Sequence, residues 1–274
     1  IHISNLCNLK CLTCNERDSS QFHAENKMLG ISQEPDKDYT KFVVHSEKAL
    51  VPLLKKQLLF LDIRGGETLM VPEIKKILEN LSDDTAKNIT LKIQTNGTIL
   101  PDEAWLKIFN KFKNTKINLS IDAYGEDNHY VRYPSNWNKI LETIDFLKQN
   151  KIKFIINTVV SNLNILVLDK LLLWIQENNY MNYFYILKNP PHFMPGNLPK
   201  SLLDRAKEKL QNVNKNFMNK DCNKMLADLL SLQSIGNDVL WQRFCDEISM
   251  RDKHRKNTIT KVIPTIKEYM NAKV

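Results

Sequence analysis

No stretch of this 274-residue chain stays apolar for the roughly 20 positions that would span a bilayer. A membrane-spanning helix is therefore not expected. No segment reads as a signal peptide, although the chain begins inside an apparent strand and so reads as trimmed at its N-terminus. Cysteine is scarce. There are five, an odd number with three in one loop, which argues against a disulfide framework and for a reducing compartment, the cytoplasm. Also missing is an arginine-rich stripe, or a basic face interleaved with aromatics. The net charge of +8 thus reads as a solvated, lysine-rich surface, and a nucleic-acid partner is disfavoured. An acidic substrate such as a peptide or phosphorylated metabolite stays open. Beyond the rhythm described below there is no internal repeat. A hydrophobic fraction of 42% and a charged fraction of 26% are those of an ordinary globular protein.

What is present is concentrated in eight residues, Cys7-Asn8-Leu9-Lys10-Cys11-Leu12-Thr13-Cys14, directly after an apolar strand start at Ile1 and Ile3. This Cys-x3-Cys-x2-Cys array offers three soft ligands in one short loop. Such a set can hold an iron–sulfur cluster while leaving one iron without a protein ligand. Zinc would need a fourth ligand close by. The candidates are His2 and His23, and neither sits at a recurrent finger spacing.

From about residue 58, strand-like runs alternate with helix-like runs, the pattern of parallel βαβ units. Strands are expected at 58–64, 88–95, 116–122, 153–160 and 183–188, with another entering at residue 1. Helices carry apolar stripes after Pro72 (Ile74, Ile77, Leu78, Leu81), at Trp105–Phe112, at Trp137–Leu147 and around 164–178. Several strands also alternate strictly. Ile89, Leu91 and Ile93 oppose Thr90, Lys92, Gln94 and Asn96; Ile117, Leu119 and Ile121 oppose Asn118, Ser120 and Asp122; Leu61 and Ile63 oppose Asp62 and Arg64. One polar face per strand means a wet or ligand-filled side, as in a curved, incomplete barrel with helices outside. About six βα units are too few for an eight-stranded closure. Residues 15–45 read as a long polar loop, with helical character returning at 46–57. The chain from about 190 reads as a helical appendage, with a last segment at 262–270. His192, His254 and the run 251–256 read as surface features, and Tyr183 and Tyr185 as core.

Three further segments follow strand ends in order: Arg64–Thr68 (RGGET), Gln94–Thr98 (QTNGT) and Leu119–Arg132 (LSIDAYGEDNHYVR). With the cysteine loop, they resemble the radical SAM enzymes over residues 1–160, most closely the members with twitch or SPASM extensions. The resemblance implies an α/β fold, a partial (β/α)6 TIM-like barrel with a C-terminal helical appendage, divided at 1–190 and 191–274. It implies a 4Fe–4S cluster on Cys7, Cys11 and Cys14, with S-adenosylmethionine (SAM) chelating the fourth iron. Gly65 and Gly66 would let backbone approach the methionine part, and Glu67 would accept from its ammonium. Asn96 and Ser120 would face the cofactor, Asp122 would orient the ribose, Arg132 or substrate, and Arg132 would bind the carboxylate. Val159 and Val160 stand where the family packs adenine, or in ordinary core. The implied partners are a reductant such as flavodoxin or ferredoxin and a substrate that is a peptide, protein side chain or small molecule. Modification of RNA or a nucleotide-like metabolite, and a non-catalytic zinc module, are the alternatives. No catalytic residue beyond the cofactor site is assignable. Cys222 and Cys245 lack the Cys-x2-Cys pairing of auxiliary clusters and read as buried thiols.

Overall fold

The computed structural model describes residues 1–32, 52, 58–213, 217 and 220–270. The later part of the expected polar loop and, apart from residue 52, the helical stretch at 46–57 lie outside them. In chain order the first elements are α1 (Ser20–Met28), β1 (Phe60–Ile63), α2 (Pro72–Asn80), β2 (Thr90–Thr95), α3 (Glu103–Lys111) and β3 (Asn114–Ser120). Then come α4 (Glu126–Val131), α5 (Trp137–Gln149), β4 (Lys153–Val160), α6 (Leu168–Glu177) and β5 (Asn182–Ile186). The last long helices are α7 (Lys200–Gln211), α8 (Lys220–Ser231) and α9 (Asp238–Arg255). The fold is mixed α/β with strand order β1-β2-β3-β4-β5, the order of a partial (β/α) barrel. Observed strands fall within about two residues of the expected ones, the usual scatter at element ends.

The chain divides into two compact units. The first holds residues 1–120 and 134–155. In it β1, β2 and β3 pair in parallel, with Ile63 beside Ile93 and Ile93 beside Ile117, all buried. The alternate face carries the row Asp62, Lys92, Lys116. Helices cover the apolar side for the reasons the stripes suggest. Pro72 opens α2 at its first turn, and Ile74, Ile77 and Leu78 are buried. Asp102 caps α3 by accepting from the Trp105 N–H at 2.9 Å, and Trp105, Ile108 and Phe109 are buried. Asn136 caps α5 in the same way. Residues 1–3 run beside the end of β1, where the Ile3 N–H donates to the Arg64 carbonyl at 2.9 Å. The stretch read as irregular after Asn15 contains α1, capped by Ser19.

The second unit holds residues 121–133 and 156–274. Here β4 and β5 pair in parallel, Val160 beside Ile186. Leu168, Leu171, Leu172 and Ile175 of α6 are buried as expected. Three surface expectations fail, one of them at Arg255, which is 8% exposed with its guanidinium 5.0 Å over the Tyr133 ring. His192 and Arg251 are only 2% and 1% exposed. They share Glu247, which accepts from Arg251 Nε and Nη2 and pairs with His192 Nε2 at 2.9 Å. Polar side chains enter an interior when charge pairing and hydrogen bonds offset their burial, as Glu247 does for His192 Nε2 and for Arg251. Tyr185, expected in the core, is 57% exposed because it falls on the outward register of β5. Among the described residues no helix is long and apolar enough to cross a membrane.

Candidate functional site

The cysteine loop is built into the first unit by neutral hydrogen bonds from α1. Ser19 Oγ donates to the Leu9 carbonyl at 2.6 Å while accepting from the Phe22 N–H as helix cap. Ser20 Oγ accepts from the Cys7 N–H at 3.3 Å, and the Ser20 N–H donates to the Asn5 carbonyl at 2.7 Å. Cys7 and Cys11 are buried with Leu9, and Cys14 packs against them. The Leu9 N–H points at Cys7 Sγ, 3.4 Å away, a donor suited to a thiolate. All five cysteines are thiols. Burial pushes the Cys14 thiol well up, and Cys11, Asp18 and Cys7 add to the rise. Three neighbouring thiolates repel one another until a cation sits among them, and bound metal reverses that balance.

Around the loop, the RGGET and QTNGT segments converge within the same unit. The two glycines after β1 adopt positive φ, +110° for Gly65 and +51° for Gly66. A Cβ on Gly65 would stand 2.5 Å from the Ser4 carbonyl oxygen, and one on Gly66 would overlap the Leu6 carbonyl. The close approach that requires glycine here is to the backbone entering the cysteine loop. Glu67 has no exposed surface. Its Oε1 accepts from Thr95 Oγ1 at 2.7 Å and from the Leu69 N–H at 3.1 Å, and its Oε2 accepts from the Asn96 N–H at 2.7 Å. Its backbone N–H donates to the Leu6 carbonyl at 2.7 Å. The carboxylate thus ties the segment after β1 to the end of β2, while the Glu67 backbone ties that segment to the loop.

Asn96 closes the arrangement from the other side. Its Nδ2 donates to Asn8 Oδ1, Asn8 Nδ2 donates to Thr98 Oγ1, both at 2.8 Å, and Thr98 Oγ1 donates to Asn96 Oδ1 at 2.6 Å. This ring of three side chains fixes the residue next to Cys7, and sequence reading missed Asn8 and Thr98 as its members. Their presence inside the CNLKC and QTNGT segments was the available signal. Ser120 lies on the polar face of β3, where its Oγ accepts from Gln94 Nε2 at 3.3 Å.

Asp122 and Arg132 belong to the second unit. Asp122 is 1% exposed. Its Oδ2 accepts from Arg132 Nη1 at 2.8 Å, and its Oδ1 from the Val159 N–H at 2.8 Å. Asn128 Oδ1 accepts from the Asp122 N–H, and Asn164 Nδ2 donates to the Asp122 carbonyl. Asp122 therefore orients the guanidinium and the end of β4 together. Val160 is buried and Val159 half-buried.

The donor set fits an iron–sulfur cluster. A four-iron cluster places each cysteine on a different iron, so its ligands need not converge on one point as zinc ligands do. Among the described residues no three His, Cys, Asp or Glu side chains converge on a single ion. His2 and His23, the fourth-ligand candidates for zinc, pair with Asp18 at 2.8 Å and Glu16 at 3.1 Å.

A three-thiol loop feeding a parallel α/β sheet, with glycines and polar side chains of the next strand ends packed round it, defines a cluster-dependent α/β protein. A family model described as the Radical SAM superfamily matches residues 1–171. The chain belongs to that superfamily, whose members are enzymes that use a 4Fe–4S cluster and SAM. A GTP 3′,8-cyclase of Clostridium perfringens (strain SM101 / Type A) is 26% identical over 161 residues, covering 58% of this chain and 45% of the relative. The chain thus spans less than half the length of that curated protein. Among solved structures, anSMEcpe with bound AdoMet and the Kp18Cys peptide aligns with TM-score 0.52 and 22% identity, over 76% of this chain and 57% of that one. SuiB of Streptococcus suis bound to S-adenosylmethionine aligns with TM-score 0.50 and 18% identity, over 77% and 46%. At these identities the structural likeness speaks for the fold.

Proposed function

We propose that Cys7, Cys11 and Cys14 hold three irons of a 4Fe–4S cluster, and that SAM chelates the fourth. The observation that carries this reading is the gathering of three thiols in one buried loop that the following strand ends buttress. When bound, cluster and SAM supply a one-electron cleavage to methionine and a 5′-deoxyadenosyl radical, which takes a hydrogen atom from the substrate. The electron comes from a reductant such as flavodoxin or ferredoxin.

The chain's own residues bind, orient and exclude water. Gly65 and Gly66 bring the backbone after β1 against the loop, where their peptide groups face the amino acid part of SAM. Glu67, having no exposed surface, works in this reading by clamping that backbone rather than by direct contact. Asn96 and Ser120 meet the cofactor from β2 and β3. Arg132 is assigned to the SAM carboxylate, which suits its forked guanidinium, and Asp122 holds that guanidinium. The catalytic core is residues 1–190 and the helical cap 191–274.

For substrate, the first reading is a peptide or protein side chain, supported by the peptide bound to anSMEcpe. The second is a nucleotide-like metabolite. It is supported by the GTP 3′,8-cyclase relative and by Lys92, Lys116 and Arg64 on the polar face of β1–β3, against one acid, Asp62. The test is anaerobic reconstitution with iron and sulfide, followed by reduction with SAM alone, with GTP or with a peptide library. Formation of 5′-deoxyadenosine is expected, stimulated by the true substrate class. A protein that binds zinc, stays colourless and yields no 5′-deoxyadenosine overturns the reading.

A further inference from the structure

Beside the neutral hydrogen bonds that seat the cysteine loop stands a charged pair. Lys10 lies between Cys7 and Cys11, and its Nζ stands 3.3 Å from Glu25 Oε1 on α1. The Glu25 side chain has no exposed surface, and that of Lys10 is 22% exposed. A carboxylate so withdrawn from water stays ionised only beside compensating charge or donors. Ser19 and Ser20 already attach the loop to α1 without any charge. The other acids nearby have their own basic partners, Glu16 with His23 and Asp18 with His2.

A full charge pair at this point has an electrical consequence that a serine does not. Consecutive Cα atoms are about 3.8 Å apart, so Lys10 rides directly beside the Cys11 ligand. Reducing a cluster adds an electron in a medium of low effective dielectric, where a fixed neighbouring charge acts strongly. We propose that Lys10 and Glu25 form a positioning pair that sets the reduction potential of the cluster. The lysine favours the reduced state, while the buried glutamate holds the lysine in place and partly cancels its field. This rests on the cluster assignment made above.

The test uses the full chain, reconstituted anaerobically, with the cluster potential read by an EPR-monitored redox titration in Glu25→Gln, Lys10→Met and the double variant. The expected result is a rise in potential for Glu25→Gln and a fall for Lys10→Met, with the double variant close to Lys10→Met, because a buried carboxylate that has lost its lysine takes up a proton. A purely structural pair would move both single variants alike and lower cluster content in each. Shifts of the same sign, or none, in samples of equal cluster content overturn the proposal. If Glu25→Gln does not load a cluster, Lys10→Met and the double variant decide: both must titrate below the unsubstituted protein at equal cluster content, and an unchanged potential overturns the pair. Absence of any cluster in the unsubstituted protein would instead defeat the cysteine assignment itself.

Discussion

The two units place the same residue under opposite conditions. In the second unit Cys222 and Cys245 are solitary. Burial, with Asp221 nearby, pushes the Cys222 thiol up to about 12, and its Sγ donates to the Asn182 carbonyl at 3.0 Å. Burial, with Asp246, pushes Cys245 up to about 11. Such thiols are protonated packing groups, and among the described residues no group of metal-ligating side chains gathers round them. In the first unit burial, with Cys11 and Cys7 beside it, raises the cost of ionising Cys14, yet a ring of polar side chains and a helix cap hold the loop together. Burial makes a thiol inert, whereas burial in company makes a site that only a cation relieves.

Breaking the contrast gives the largest effect. Cys11→Ala should remove essentially all bound iron and all 5′-deoxyadenosine formation, while Cys222→Ala leaves iron content unchanged, both read by metal analysis after reconstitution. Next comes the clamp. Glu67→Ala leaves the Thr95 hydroxyl and the Asn96 N–H without their acceptor in the interior, at a cost of about 3–5 kcal/mol in denaturant unfolding. Gly66→Ala forces a Cβ into the Leu6 carbonyl at positive φ and should cost about 2–4 kcal/mol, with cluster content falling in parallel.

The smallest effect sharpens the second unit. Burial opposes ionisation of Glu247, but His192 and Arg251 together hold its carboxyl below the usual glutamate value of 4.5. A carboxyl whose pKa falls on folding stabilises fully above its unfolded value and loses that contribution as pH drops through the folded one. Thermal unfolding of Glu247→Gln should therefore lose part of the acid-side decline seen in the unsubstituted protein below about pH 4.5.

Much of this was legible because period-two and period-3.6 patterns report burial directly. Leu91, Ile93, Ile117 and Leu119 are buried where alternation puts them, and so are Ile140, Ile144 and Leu147. Helix α1 escaped because its buried face is polar: apart from Phe22, it buries His23, Glu25 and Asn26, which no hydrophobic stripe reveals. His192 and Arg251 escaped for the same reason, since a charge buried through its partner looks like a surface charge in sequence. The glycines were readable as a close approach, though not that the approaching backbone belongs to residues 4–6. Contacts such as Asn8 with Asn96 join positions 88 residues apart, and local pattern carries no information about them.

The most direct measurement is the EPR spectrum of the reconstituted, reduced protein before and after SAM is added. A single 4Fe–4S signal whose g-values change on addition is the predicted result, because the proposed assignment leaves the fourth iron to SAM. A signal indifferent to SAM, or none, would contradict the account.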